Sequence, residues 1–544
     1  MIQLALVRPT PCFRKIDPPL LHPITTLIIV AACSLGSISA SFAVETDATR
    51  RRPNIILILA DDLGYAELGC YGQQKIRTPN LDRLASEGMR FTQHYSGAPV
   101  CAPARCVLMT GKHLGHAQIR SNQPAKVAFP EFTEGQHPIT ADAQTIASTL
   151  QRAGYATAAM GKWGLGPVGS TGDPNRQGFD LFFGYNCQSI AHSYYPRYLW
   201  RNDKQIEINP QPVAGHQKQP TGEVKLETYV GKTYAPDAML AEALGFLDAQ
   251  AGPKSDAAKP AADKAGRKPF FLYLPFVEPH LAMHPPKDRV EAYPAEWDSQ
   301  VYRGEAGYLP HPRPRAAYAA MISNLDRCVG EVLKKLDDAG LRDETLVVFT
   351  SDNGATHGNT KAASPFHVGG VDTDFFHSTG DLRGYKGSVY EGGIRVPMIV
   401  RFPGRVQAGT VNDFPCYFAD WFPTLCDVAS LEPPRDLDGE SMLRTLTKAD
   451  ASPPPKQRTE PMVWVFPGYE GQVAVRIGDL KVVRQKLKTK QPGEWELYDL
   501  ARDHGETKDL AKEQPEIVAQ AIAILKNEVD DNKTFPLTIP GVND

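Results

Sequence analysis

Two pairs of adjacent polar residues, Asp61-Asp62 and Asp352-Asn353, offer only oxygen atoms as ligands. Hard divalent cations of the calcium or magnesium kind take that donor set, whereas zinc favours imidazole and thiolate. One acidic pair after a strand also serves as a helix cap or a loop charge; two such pairs, each directly after an apolar run, favour a metal. Cys101 precedes Ala102-Pro103-Ala104-Arg105. Proline suits a first helical turn because it has no N–H to leave unsatisfied, so the cysteine is expected at the N-terminus of a helix that runs through 107–110 to Gly111. Free N–H groups and the helix dipole favour an anion there: a sulfate, a phosphate or an ionised oxygen.

The elements that must position these residues are legible as apolar runs. Residues 55–60 form a continuous β-branched stretch, as expected of a strand buried on both faces, and end in Asp61-Asp62. Residues 346–350 end in Ser351-Asp352-Asn353-Gly354, residues 270–276 lead to Glu278-Pro279-His280, and residues 156–160 run into Gly161-Lys162-Trp163-Gly164. Ligands of doubly wound α/β sheets bind outside the carboxyl ends of the strands, so four such strands would aim their polar groups at one crevice. Tyr318, Met321, Ile322, Leu325, Val329, Val332, Leu333 and Leu336 trace a helical face, with Gly340 as its C-terminal stop. Residues 251–268 read as a solvated insertion and the proline-rich 452–455 as a linker. Beyond the linker, 462–466, 472–477, 481–484 and 496–498 read as short antiparallel strands, covered by an amphipathic helix over 516–529.

The chain has 544 residues, 42% of them hydrophobic and 22% charged, enough for a large folded α/β unit with an appendage. A net charge of -3 gives no global field for nucleic acid or an anionic membrane. Residues 1–43 read as an export signal: Arg8, Arg14 and Lys15 precede an apolar stretch at 24–35, and Ser41-Phe42-Ala43 offers a small-x-small cleavage site. That stretch is shorter than the ~18 residues of a spanning helix, so no stable membrane span is expected and the protein is expected in the periplasm or secreted. Val30-Ala31-Ala32-Cys33 also resembles a lipoprotein cleavage box, a second reading in which Cys33 is anchored. Of nine cysteines, Cys12 and Cys33 fall in this segment; the others read mostly as small buried hydrophobes, with room for an occasional disulfide.

The run Cys101-Ala102-Pro103-Ala104-Arg105-Cys106-Val107-Leu108-Met109-Thr110-Gly111-Lys112 resembles the sulfatase signature, in which the cysteine is oxidised after synthesis to formylglycine. Glu391-Gly392-Gly393-Ile394-Arg395-Val396-Pro397 after Lys386, Asp420-Trp421-Phe422-Pro423-Thr424-Leu425, and Glu496-Leu497-Tyr498-Asp499-Leu500 are similar to further landmarks of that family. From Pro53 to about Leu510 the chain resembles the formylglycine sulfatases of the alkaline phosphatase superfamily. The resemblance implies an α/β fold with a large, mostly parallel central sheet flanked by helices. It implies a catalytic domain over 52–450 and a smaller antiparallel-sheet-plus-helix subdomain over 451–544.

The same resemblance implies calcium, or magnesium, held by Asp61, Asp62, Asp352 and Asn353, with hydrated formylglycine at position 101 as nucleophile. A formylglycine-generating enzyme would act during maturation. Arg105, Lys112, Lys162 and Lys386 would serve the sulfate site, and His280 matches the histidine that protonates the departing oxygen. Two positions depart from the pattern. Ala104 stands where serine is commoner, and Gly164 stands where many relatives carry a histidine that hydrogen-bonds the formylglycine. His113, His192 and His357 are candidates to replace it or to touch substrate. The loop 185–195, which includes Tyr195, and the segment 198–202 carry aromatic and hydrogen-bonding groups; such loops stack on sugar rings and also simply pack. With export, this inclines the reading to sulfated carbohydrates. The alternatives are a phosphonate monoester or phosphodiester hydrolase of the same superfamily and a catalytically silent sulfoglycan-binding relative.

Overall fold

The computed structural model describes residues 52–251, 267–356, 367–447 and 457–544. The proposed export signal with Cys33, the linker at 452–455, His357 and all but the ends of the insertion at 251–268 lie outside the described residues. The architecture is α/β with a ten-stranded mixed sheet. In spatial order its strands are Thr410–Asn412, Met89–Phe91, Met398–Arg401, Thr345–Ser351, Asn54–Ala60, Phe270–Pro275, Ala156–Lys162, Leu181–Tyr185, Tyr198–Arg201 and Lys204–Glu207.

The four runs expected to deliver polar groups are the four central neighbours, Thr345–Ser351, Asn54–Ala60, Phe270–Pro275 and Ala156–Lys162, all parallel. Ala60 is in register with Ser351 and Leu59 with Pro275, so three of the strands end level with one another. Strand alternation sends Ile55, Leu57 and Leu59 into one apolar cluster and Ile56, Ile58 and Ala60 into another, the two-sided burial expected of a parallel centre.

One face is covered by the helix Pro314–Asp338, whose apolar stripe is buried. Gly340, with φ 62, turns the chain out of it while the Leu341 N–H donates back to Leu336 O at 2.9 Å, a glycine-dependent stop. The other face is covered by the helix Cys101–Thr110, which is buried at every residue and ends at Gly111 with φ 66. The apolar core on that side continues into a four-stranded antiparallel sheet, Met462–Phe466, Gln472–Ile477, Leu480–Arg484 and Trp495–Asp499, paired in chain order. The helix Pro515–Glu528 lays Val518, Ala521 and Leu525 against it. Among the described residues no helix is long and apolar enough to cross a membrane, no cysteine is paired, and six of the seven cysteines are buried.

The small sheet is fastened to the large one by buried charge as well as by apolar contact. Lys481 Nζ, fully buried, lies 2.8 Å from Glu391 Oε1 and 2.9 Å from Glu506 Oε1. Tyr95 donates to Glu391 Oε2 and accepts from Arg476, both at 2.6 Å. Burial pushes Glu506 up to about 7, while Lys481 and Arg395 overcome the same burial and hold Glu391 down at about 2. The lysine therefore neutralises one ionised carboxylate and lies beside a second that loses its proton only near neutrality. Removing one partner of a buried ionic group leaves an uncompensated charge, so Lys481→Met should cost about 3–5 kcal/mol in urea unfolding. A change below about 1 kcal/mol would show that the fastening is apolar.

Candidate active site

The loops leaving the central strands are stitched to one another before any side chain is considered. The Asp61 N–H donates to Glu278 O at 3.1 Å and the Asp352 N–H to Ala60 O at 3.0 Å. Asp62 has a left-handed backbone, φ 67, a conformation aspartate tolerates better than most residues, and its N–H donates to Asp352 Oδ1 at 3.1 Å. Three carboxylates from two adjacent strand ends are thus buried together.

Three cations compensate them. Lys162 Nζ is 2.6 Å from Asp61 Oδ2, and Lys386 Nζ is 2.6 Å from Asp62 Oδ2. Arg105 reaches Asp352 Oδ2 through Nε at 3.1 Å and Nη2 at 2.7 Å, stands 3.4 Å from Asp61, and donates from Nη1 to Lys162 O. The Lys386 loop is itself pinned, its N–H donating to Ala355 O at 2.9 Å and that of Gly387 to Pro99 O at 2.8 Å. Asp62 also accepts from Asn353 Nδ2 and Thr356 Oγ1, each at 2.8 Å; Thr356 carried no sequence signal.

Cys101 sits at the first position of its helix, with Sγ 3.4 Å from Asp61 Oδ1 and 4.0 Å from Asp62 Oδ1. The helix end offers an anion less than its position suggests. Pro103 has no N–H, that of Ala102 is taken by Asn122 Oδ1 at 3.0 Å, and that of Ala104 by Val100 O. Attraction for an anion must come mainly from the lysines.

The electrostatics follow from dense charge in a dry place. Burial alone would raise Asp61 and Asp62, yet neighbouring cations outweigh it and hold both below the usual carboxylate range: Lys162, His280 and Arg105 at Asp61, Lys386 and His280 at Asp62. Asp352 is pushed up to about 6 by burial and by Asp61, and the Cys101 thiol is pushed up by burial and then by Asp61. His280 is driven down to about 4 by burial and by Lys386, against the pull of Asp62 and Asp61. Its Nδ1 lies 2.6 Å from Leu281 O, which fixes the proton on that nitrogen and turns Nε2 toward Asp62 Oδ2 at 3.6 Å.

Asp61, Asp62, Cys101 and His280 bring ligand atoms within 4.8 Å of one another, a cluster able to hold a metal ion. Hard-cation chemistry fits it best. A thiol raised in pKa is a poor soft-metal ligand, and the buried Asn353 Oδ1 beside Asp62 has no hydrogen-bond partner.

The remaining sequence candidates separate. His192 belongs to the site: its ring stacks on His280 at 5.0 Å, and its Nδ1 is 2.9 Å from Nε2 of His216, which in turn stacks on Tyr308 at 4.5 Å. His216 and Tyr308 were not singled out in the sequence, because nothing local ties them to His280.

Lys112 and His113 are not brought to the site. They follow the helix of Cys101, so ten residues of rise, about 15 Å, carry them to its far end. Lys112 pairs there with Asp436 at 3.1 Å; His113 faces Glu528 at 3.1 Å, and His116, stacked on it at 4.4 Å, faces Asp438 at 3.0 Å. That second imidazole and carboxylate group has metal-like spacing. The Gly115 N–H donates to His113 Nδ1 at 3.0 Å, however, which leaves the ring proton on Nε2 facing Glu528. Tyr195 is buried against Tyr234 and His284, a packing role. At Gly164, φ 84, the missing side chain's space is filled by Gln188, whose Nε2 would lie 2.9 Å from an added Cβ. That amide nitrogen is buried without a partner, so it is Gln188, not a histidine, that fills the gap.

Comparison with known proteins agrees with this geometry. Residues 53–431 match the sulfatase family, and residues 384–534 match the family described as N-sulphoglucosamine sulphohydrolase, C-terminal. The chain is 32% identical to the steryl-sulfatase of Mus musculus, covering 78% of this chain and 70% of that one. It is 30% identical to human (Homo sapiens) arylsulfatase A, covering 90% of each. Among solved structures, Ps i-CgsB in complex with k-i-k-neocarrahexaose superposes with a TM-score of 0.67 at 26% identity, covering 89% of this chain and 94% of that one.

Chelation should therefore lower the thermal midpoint of the folded protein, and calcium or magnesium, but not zinc, should restore it. Linkage makes the effect about 2.7 kcal/mol at a cation concentration roughly 100-fold above Kd. Asp61→Asn should abolish the response; a midpoint indifferent to chelator would contradict the metal assignment.

Proposed function

The chain belongs to the sulfatase family and is a sulfuric ester hydrolase; on that premise we propose that it removes sulfate from sulfated carbohydrates, using formylglycine made from Cys101 and a calcium ion held by Asp61, Asp62, Asp352 and Asn353. The observation that carries the reading is the position of Cys101. Its Sγ, which marks where the nucleophilic oxygen of the matured residue would project, lies 3.4 Å from Asp61, and the ammonium groups of Lys162 and Lys386 sit on the same pair of aspartates. Calcium, when bound, lowers the pKa of the attacking hydroxyl and polarises the sulfate. Magnesium would serve the same donors.

The chain's own residues do the rest. Lys162 and Lys386 hold the sulfate oxygens and offset charge that develops as the ester bond breaks. Arg105 does not face the substrate; it keeps Asp352 ionised and fixes the Lys162 carbonyl. His280 donates a proton from Nε2 to the departing oxygen, with its ring held by Leu281 O. A histidine depressed to about 4 is mostly neutral near pH 7; the negative charge of a bound sulfate raises it toward the working range. His192, stacked behind it, stops the ring from swinging away.

The carbohydrate assignment is supported by the solved relative whose bound molecule is a neocarrahexaose and by the His192, His216 and Tyr308 rings leading out from His280. Export to the periplasm or beyond, where such glycans are met, is part of the proposal, as is maturation of Cys101 by a formylglycine-generating enzyme.

The test is a panel of sulfated mono- and oligosaccharides beside aryl sulfate, aryl phosphate and a phosphonate monoester. Sulfated sugars should be desulfated, and aryl sulfate cleaved faster than the phosphorus esters; fast phosphonate turnover with negligible sulfate turnover would overturn the reading. His280→Ala should lose about 100-fold or more on sugar sulfates, whose leaving groups need a proton, and less than about tenfold on 4-nitrophenyl sulfate.

A further inference from the structure

The small sheet contributes one unusual turn to the rim of the site. Between the strands Met462–Phe466 and Gln472–Ile477 the Gly471 N–H donates to Gly468 O at 2.9 Å, and the two central residues, Tyr469 and Glu470, are both left-handed, with φ 47 and 72. This is the backbone of a type I′ hairpin turn, which asparagine and glycine adopt easily and which tyrosine and glutamate adopt against their own Cβ. Strained backbone persists where the surroundings enforce it, and it concentrates where a side chain must be presented.

Here the enforcement comes from the catalytic loop. Gln472 donates from Nε2 to Gly387 O at 2.7 Å and accepts the Val389 N–H on Oε1 at 3.1 Å. The Tyr469 ring lies directly on Gly387, the residue after Lys386, so closely that a Cβ there would stand 2.8 Å from the ring. The residue is nevertheless 54% exposed. From the other side Tyr308, stacked on His216 at 4.5 Å, brings its ring within 6.2 Å of that of His280. The two tyrosines, one from each sheet's loops, therefore flank the two groups that meet at Asp62, Lys386 at 2.6 Å and His280 at 3.6 Å.

We propose that Tyr469 is a specificity-determining residue that receives the leaving group, its exposed ring packing against the apolar face of the sugar that carries the sulfate. This rests on the carbohydrate reading given above. The sulfate is held below by Lys162 and Lys386, so the ring acts on the sugar and not on the sulfate. A pyranose presents C–H groups on one face, and an aromatic ring fixed at a rim is the complement of that face.

The informative variant is Tyr469→Gly, because glycine accepts the left-handed φ without strain and the fold is not put at risk. On whichever sulfated saccharide the parent enzyme desulfates, Tyr469→Gly should lower kcat/KM by about tenfold, mainly through KM. Inhibition by inorganic sulfate should change by less than about twofold, since it reports the pocket beneath. Tyr469→Phe, which keeps the ring, should recover most of the loss. Saccharide kcat/KM within about twofold of the parent would overturn the proposal. So would sulfate inhibition that weakens in parallel with saccharide turnover, because the ring would then be acting through the Lys386 loop. If the parent enzyme desulfates no saccharide at all, the carbohydrate reading fails first and this inference falls with it.

Discussion

Three carboxylates share the dry ends of two adjacent strands, and the rest of the site exists because that arrangement must be compensated. Burying Asp61, Asp62 and Asp352 without partners would cost far more than the fold's whole stability. Arg105, Lys162 and Lys386 prevent this, and each is delivered by a different element: the helix of Cys101, the end of a neighbouring strand, and a loop that touches both sheets. The compensation is local and nearly balanced, yet Asp352 still rises to about 6 and the Cys101 thiol rises as well. A hard cation bound beside these carboxylates would relieve that remaining negative potential, with Lys162 and Lys386 close by.

The same constraint explains the two-part architecture. The Lys386 N–H is held by Ala355 O and the Gly387 N–H by Pro99 O, both on loops beside the large sheet, while Gly387 O and the Val389 N–H are gripped by Gln472 of the small one. Nearby, Lys481 neutralises Glu391, which sits five residues beyond Lys386. The small sheet is thus a brace on the loop that carries Lys386, and the charged fastening and the buried charges of the site belong to one connected structure.

Much of this was legible in the sequence because it depends on local pattern. Apolar runs that stop at Asp61, Asp352 and Lys162 announce buried parallel strands, and Pro103 announces a helix start. What failed was long-range or rotational. Lys112 and His113 share a motif with Cys101, but a ten-residue helix separates them, and the spacing alone could have shown it. Tyr195 lies in a promising aromatic loop and turns inward. Thr356, Gln188, His216, Tyr308 and Tyr469 reach the site or its margins through folding contacts that no periodicity encodes. Gln188 is the instructive case: Gly164 advertised an absence, and a residue 24 positions later fills the space.

The mechanism requires Cys101 to be the precursor of the nucleophile, beside the paired aspartates and their two lysines. That is most directly tested by the mass of the peptide containing Cys101 from protein made with a formylglycine-generating enzyme present. That peptide should be about 18 Da lighter than its cysteine form, a loss that no rung of the ordinary thiol oxidation ladder produces. A peptide that keeps the unmodified cysteine mass in protein that hydrolyses sulfate esters would contradict it.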